Sequence, residues 1–159
     1  MNAKEMIMKC SIARTFPMVA ITALALATSP TAKADDKGCS NATLQGTFAY
    51  TSTGFITAPP AIAGPFAETG KQTFDGRGGT TAAVTLSQNG NILPVTITGT
   101  YTVNPDCTGT MTLQVSPIDV TVHVLFVIDD GGNGFQAIET DPGFVITRIG
   151  RRLFPGRDI

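Results

Sequence analysis

His123 is the single histidine of the 159-residue chain, so any Ser-His-Asp or Cys-His chemistry has to pass through it. No G-x-S-x-G elbow accompanies it. The apolar alternation around it turns it outward, so an exposed, non-catalytic histidine is expected. Asp129, Asp130 and Asn133 bring several hard oxygens close together, as a calcium site requires. Their spacing does not match an EF-hand, no Glu closes the set, and the same residues make an ordinary hairpin loop. Neither a metal nor another cofactor is expected. Asp75-Gly76-Arg77-Gly78-Gly79 is too short for a phosphate loop and opens no helix, so it reads as a turn. Glu68 and Gln72 are more informative. If Phe66 and Phe74 face a core, the same alternation carries Glu68 and Gln72 inward with Tyr50 and Tyr101. There the four could orient a ligand, and a buried carboxyl of raised pKa could act as an acid. Gly70 allows another outcome, a bulge that returns Glu68 to solvent, and that outcome is the expected one. Glu68, Gln72, Tyr50 and Tyr101 form the candidate ligand-binding set, and no residue is assigned a catalytic role.

The elements that must position these residues are strands. In Val95–Val103 every even-numbered residue from 96 to 102 is Thr, and the odd ones are apolar or Gly. One face is therefore a polar ladder and the other a core face. The pattern continues after Asn104-Pro105-Asp106, a tight turn in which Pro presets the backbone. Gly109, Met111, Leu113 and Val115 then alternate with Thr110, Thr112 and Gln114. Val120, Val122, Val124, Phe126 and Ile128 form a further inward face. Turn signals at 58–65, 75–79, 89–91, 104–106, 116–117, 129–134 and 141–143 delimit eight strands. Their expected bounds are 45–56, 66–75, 79–88, 92–103, 107–115, 118–128, 134–140 and 144–152.

Short connections between successive strands predict an all-β antiparallel meander. Eight such strands can close into a small barrel that is packed by side chains or holds one small ligand. A two-sheet β-sandwich is the alternative, although the absence of Trp gives an immunoglobulin-type core no support.

The first 34 residues read as a cleaved Sec signal peptide: basic Lys4, Lys9 and Arg14, an apolar run over 16–27, then Ala32-Lys33-Ala34. An apolar run of 12 residues is too short to span a bilayer, which takes about 20. Residues 35–159 form the expected single domain, placed outside the cell or in the periplasm. The leader takes four of 11 basic residues and one of 12 acidic ones, leaving 7 and 11, a net charge of −4. That balance argues against nucleic acid as a partner. Arg148, Arg151, Arg152 and Arg157 make the one basic cluster and read as a solvated tail. Cys10 leaves with the leader. Cys39 and Cys107 remain as a pair, for which a disulfide is the default in an oxidising compartment.

Three stretches, Cys39–Phe48, Thr73–Gly78 and Gly99–Thr110, together resemble a family of small exported bacterial proteins, mostly without an assigned function. The resemblance spans nearly the whole chain after the leader. It implies a secreted β-barrel tied by Cys39 and Cys107, and it brings no catalytic residues. In general architecture the meander is also similar to calycin-type and allene-oxide-cyclase-type barrels, which bears on fold alone. The functional expectation is an exported, non-enzymatic barrel that binds a small apolar molecule or serves as an envelope or extracellular structural component. A small isomerase or cyclase with an apolar pocket is the alternative. Oligomeric state is left open.

Overall fold

A computed structural model describes residues 38–154, within the unit Asp35–Ile159. The expected leader lies outside the described residues.

Eight antiparallel strands follow one another: β1 Gly46–Ile56, β2 Gly64–Phe74, β3 Gly79–Gln88, β4 Asn91–Val103, β5 Thr108–Ser116, β6 Val120–Asp129, β7 Gly134–Glu139 and β8 Phe144–Arg152. Each pairs with its sequence neighbours, and β1 also pairs with β8, from Phe48 opposite Arg152 to Ile56 opposite Phe144. The sheet is thus a closed barrel, and the sandwich alternative is set aside. Closure leaves no unpaired edge.

Period-two alternation builds the wall. Val95, Ile97, Tyr101 and Val103 of β4 are buried, and Thr96, Thr98, Thr100 and Thr102 face solvent. β5 and β6 repeat the pattern with Met111, Leu113 and Val115, then Val122, Val124, Phe126 and Ile128. Small residues make room for large ones inside. A Cβ on inward-facing Gly150 would lie 2.1 Å from Phe135 Cε1, and one on Gly109 would lie 2.2 Å from Phe126 Cζ. Two of the largest interior rings therefore rest on bare backbone.

One end of the barrel is plugged. A 3-10 helix, Asn41–Leu44, sends the fully buried Leu44 into it. Phe48, Phe74, Phe135 and Tyr101 pack there with ring centroids 5.1–5.9 Å apart. Cys39 and Cys107 are bonded, tying the plug to the turn between β4 and β5. Arg152 holds it from the other side by donating to the backbone oxygens of Thr43 (3.0 Å), Gly132 (2.7 Å) and Gln45, with its guanidinium 4.6 Å from the Phe48 ring centroid. Asn41 Oδ1 accepts from the Val103 amide at 2.8 Å.

Candidate functional site

The other half of the barrel is hollow. A cavity of about 320 Å³ occupies the end opposite the plug, within the size range of small-molecule sites. Its walls are mostly apolar, with Phe66, Leu86, Leu93, Ile97, Val122 and Ile146 among them. Ile62 and Ile118 line it and are also 37 % and 45 % exposed, so they mark its mouth. Ile62 comes from the loop between β1 and β2, whose backbone oxygen there accepts from Gln88 Nε2.

Three of the lining residues, Glu68, Glu139 and Arg148, are charged and buried. Their meeting follows from closure of the barrel. Ser52 of β1 stands opposite Glu68 of β2 and also opposite Arg148 of β8, so three adjacent strands point side chains to one spot. Arg148 Nε donates to Ser52 Oγ at 3.0 Å, and Nη2 donates to Glu68 Oε1 at 2.9 Å. Ser52 Oγ in turn donates to Glu68 Oε1 at 2.9 Å. The guanidinium lies 4.6 Å from the Tyr50 ring centroid, a cation–π arrangement that suits a desolvated arginine.

Glu139, at the end of β7, is held more loosely. Its Oε1 is 3.8 Å from Arg148 Nη2, too far for a hydrogen bond. Its pKa rises from 4.5 to about 7, chiefly through burial; Arg148 opposes the rise, while Glu68 and Asp141 add to it. Burial also pushes the Tyr50 phenol well above its ordinary value. Among the described residues, Tyr50 Oη, Gln72 Oε1, Glu139 Oε2 and Arg148 Nη1 are buried side-chain atoms without a hydrogen-bond partner. Native interiors leave few such atoms, and two of these four belong to residues that line the cavity.

The candidate set from the sequence divides accordingly. Glu68 faces the cavity, against the expectation of a bulge at Gly70. The pairing of β1 with β2 runs unbroken from Gly46 opposite Phe74 to Ile56 opposite Gly64. Gly70 serves close packing instead, because a Cβ there would lie 2.4 Å from the Ala83 backbone oxygen and 2.6 Å from Val84 Cγ1. Tyr50 and Gln72 are buried in the interior but are not among the lining residues. Gln72 Nε2 donates to Thr80 Oγ1 at 3.1 Å. Tyr101 belongs to the plugged end, where its hydroxyl donates to the Asn41 backbone oxygen at 3.0 Å; its place is structural.

Arg148 corrects the reading of a solvated basic tail. It is 4 % exposed inside the barrel, and Arg152 is spent on the plug; Arg151 alone of these three is exposed, beside Asp129 at 3.3 Å. The signal lay in the alternation of β8, where Ile146, Arg148 and Gly150 share the buried face. Glu139 follows Phe135 and Ala137 on the buried face of β7 in the same way. His123 lies outside the barrel as expected. Its Nδ1 is 2.8 Å from Asp141 Oδ1, and its side chain is 54 % exposed.

Comparison of the chain with protein-family models, with curated proteins and with solved structures found no match. The functional reading therefore rests on the site's own geometry.

Proposed function

We propose that the protein is an exported, non-enzymatic β-barrel that binds one small apolar molecule in the cavity at its unplugged end. The observation that carries this reading is the cavity itself: about 320 Å³, apolar walls, a mouth at Ile62 and Ile118, and a charged cluster at one side. A purely structural barrel has no need of such a space, since interiors otherwise pack to the density of organic crystals. Export accords with the Cys39–Cys107 disulfide and with the absence, among the described residues, of a helix long and apolar enough to cross a membrane. The likeness to small exported bacterial proteins belongs to the same proposal.

The test is binding of the apolar fluorophore N-phenylnaphthylamine. Saturable binding at one site per chain is expected, with loss of that site in Val122→Phe, which fills the cavity from its wall. Equal binding by the folded variant would remove the cavity from the reading, and no binding by the parent protein would defeat it.

A second reading, an isomerase or cyclase, is favoured by one observation. Glu139 titrates at about 7 beside an apolar cavity, where a general acid or base works best. In that reading Glu139 takes the part that the sequence offered to Glu68, because Glu68 is already engaged by Ser52 and Arg148.

A further inference from the structure

We propose that the cavity selects an apolar molecule bearing one neutral hydrogen-bond acceptor, a ketone or ester carbonyl, clamped between Arg148 Nη1 and the Glu139 carboxyl. The inference rests on the cavity being a binding site, as proposed above.

The donors of Arg148 are unequally used. Nε goes to Ser52 and Nη2 to Glu68, which leaves Nη1 buried and unpartnered. Glu139 Oε2 is likewise buried and unpartnered. The two side chains are 4 % and 7 % exposed, and both line a cavity whose remaining walls are apolar apart from Glu68, Gln88 and Asn91. A ligand that satisfies them must bring a polar atom to the charged side and fill the rest with hydrocarbon.

Charge decides which polar atom. Arg148 already faces Glu68 at 2.9 Å, so an anionic head would add an uncompensated charge to a desolvated site. A cationic head would meet the guanidinium. A carbonyl oxygen carries no net charge and has two lone pairs, one for each donor.

The second donor depends on protonation. With a pKa of about 7, Glu139 offers an O–H below neutrality and only acceptor oxygens above it. The groups that act on it are Arg148 of β8, Glu68 of β2 and Asp141 of the turn after β7. Arg148 alone of these favours the ionised carboxylate. Asp141 is also paired with His123 outside the barrel.

The experiment compares four probes with the same eleven-carbon skeleton: methyl nonyl ketone, undecanoate, undecylammonium and undecane. The ketone is expected to bind tightest, about a hundredfold over undecane, as two satisfied hydrogen bonds provide. Its affinity should fall about tenfold from one pH unit below the Glu139 pKa of about 7 to one unit above it. Glu139→Gln keeps an N–H donor, so ketone affinity should persist while its pH dependence disappears. Arg148→Lys keeps the charge beside Glu68 but removes Nη1, and should weaken the ketone without weakening undecane. The clamp is overturned if undecanoate or undecylammonium binds tightest, if ketone and undecane bind alike, or if Glu139→Gln retains the pH dependence. Failure of all four probes to bind defeats the cavity reading itself.

Discussion

The Nη2 atom of Arg148 lies 2.9 Å from Oε1 of Glu68, with both side chains 4 % exposed, although 80 residues separate them in the chain. Such a pair is costly to break and much less costly to replace as a unit, because removing one partner strands a buried charge. Arg148→Met should therefore destabilise the fold by about 3–5 kcal/mol. Arg148→Met with Glu68→Leu should recover most of that loss. Urea midpoints of the parent, both single variants and the double variant make the cycle. A double variant as unstable as the sum of its parts would show that the two groups do not act as a pair.

Glu139 links stability to pH. Its folded-state pKa is raised from 4.5 to about 7, so between these values the native protein holds a proton that the unfolded chain has released. Its contribution is fully present below pH 4.5 and is lost as pH rises through about 7, a loss of roughly 3 kcal/mol. Glu139→Gln cannot titrate and should flatten this part of the profile, leaving the variant more stable than the parent above neutrality. Chemical denaturation across the window reads the slope, and a slope unchanged in Glu139→Gln would assign it to other groups.

Gly150 is required for packing. A Cβ there would lie 2.1 Å from the Phe135 ring, and that ring is locked against Phe48 and Phe74. Gly150→Ala should cost about 1–3 kcal/mol. Combining it with Phe135→Leu should bring less than the added losses, since the smaller side chain yields space. Strict additivity of the two melting shifts would rule out the contact as the cause.

The disulfide fastens the plug, not the cavity. Closing a loop of 68 residues restricts the unfolded chain and stabilises the fold by roughly 4 kcal/mol. Replacing Cys39 and Cys107 together by Ser should lower the thermal midpoint while leaving N-phenylnaphthylamine binding intact wherever the variant is folded. Loss of dye binding in the folded variant would mean that plug and cavity are coupled.

Much of this architecture was legible beforehand because it is local. Alternation in β4, β5 and β6 assigns inner and outer faces residue by residue, since successive side chains on a strand point to opposite sides. Turn chemistry delimited all eight strands to within about two residues; the Asp75 carboxylate, for example, accepts from the amides of Arg77, Gly78 and Gly79. The candidate site was legible in part. Glu68 was singled out, yet Gly70 made a bulge the expected outcome, and the unbroken pairing of β1 with β2 and the close approach of Val84 across the β2–β3 pair overturn it.

Arg148 and Glu139 were missed for a different reason. Each sits on an alternating strand near basic or acidic neighbours, and nothing nearby in sequence says that a charge there will be balanced. The partners of Arg148 are Ser52 and Glu68, 80 or more residues away, and they meet only when β8 closes on β1; Glu139 in turn faces Arg148. The sequence by itself thus determined the strands, the faces of β4, β5 and β6 and the one cysteine pair, because each follows from backbone period, turn preference or count. The tertiary structure alone decided that the lumen is hollow at one end and charged within. Those properties depend on the register in which distant strands close, and no local pattern encodes it.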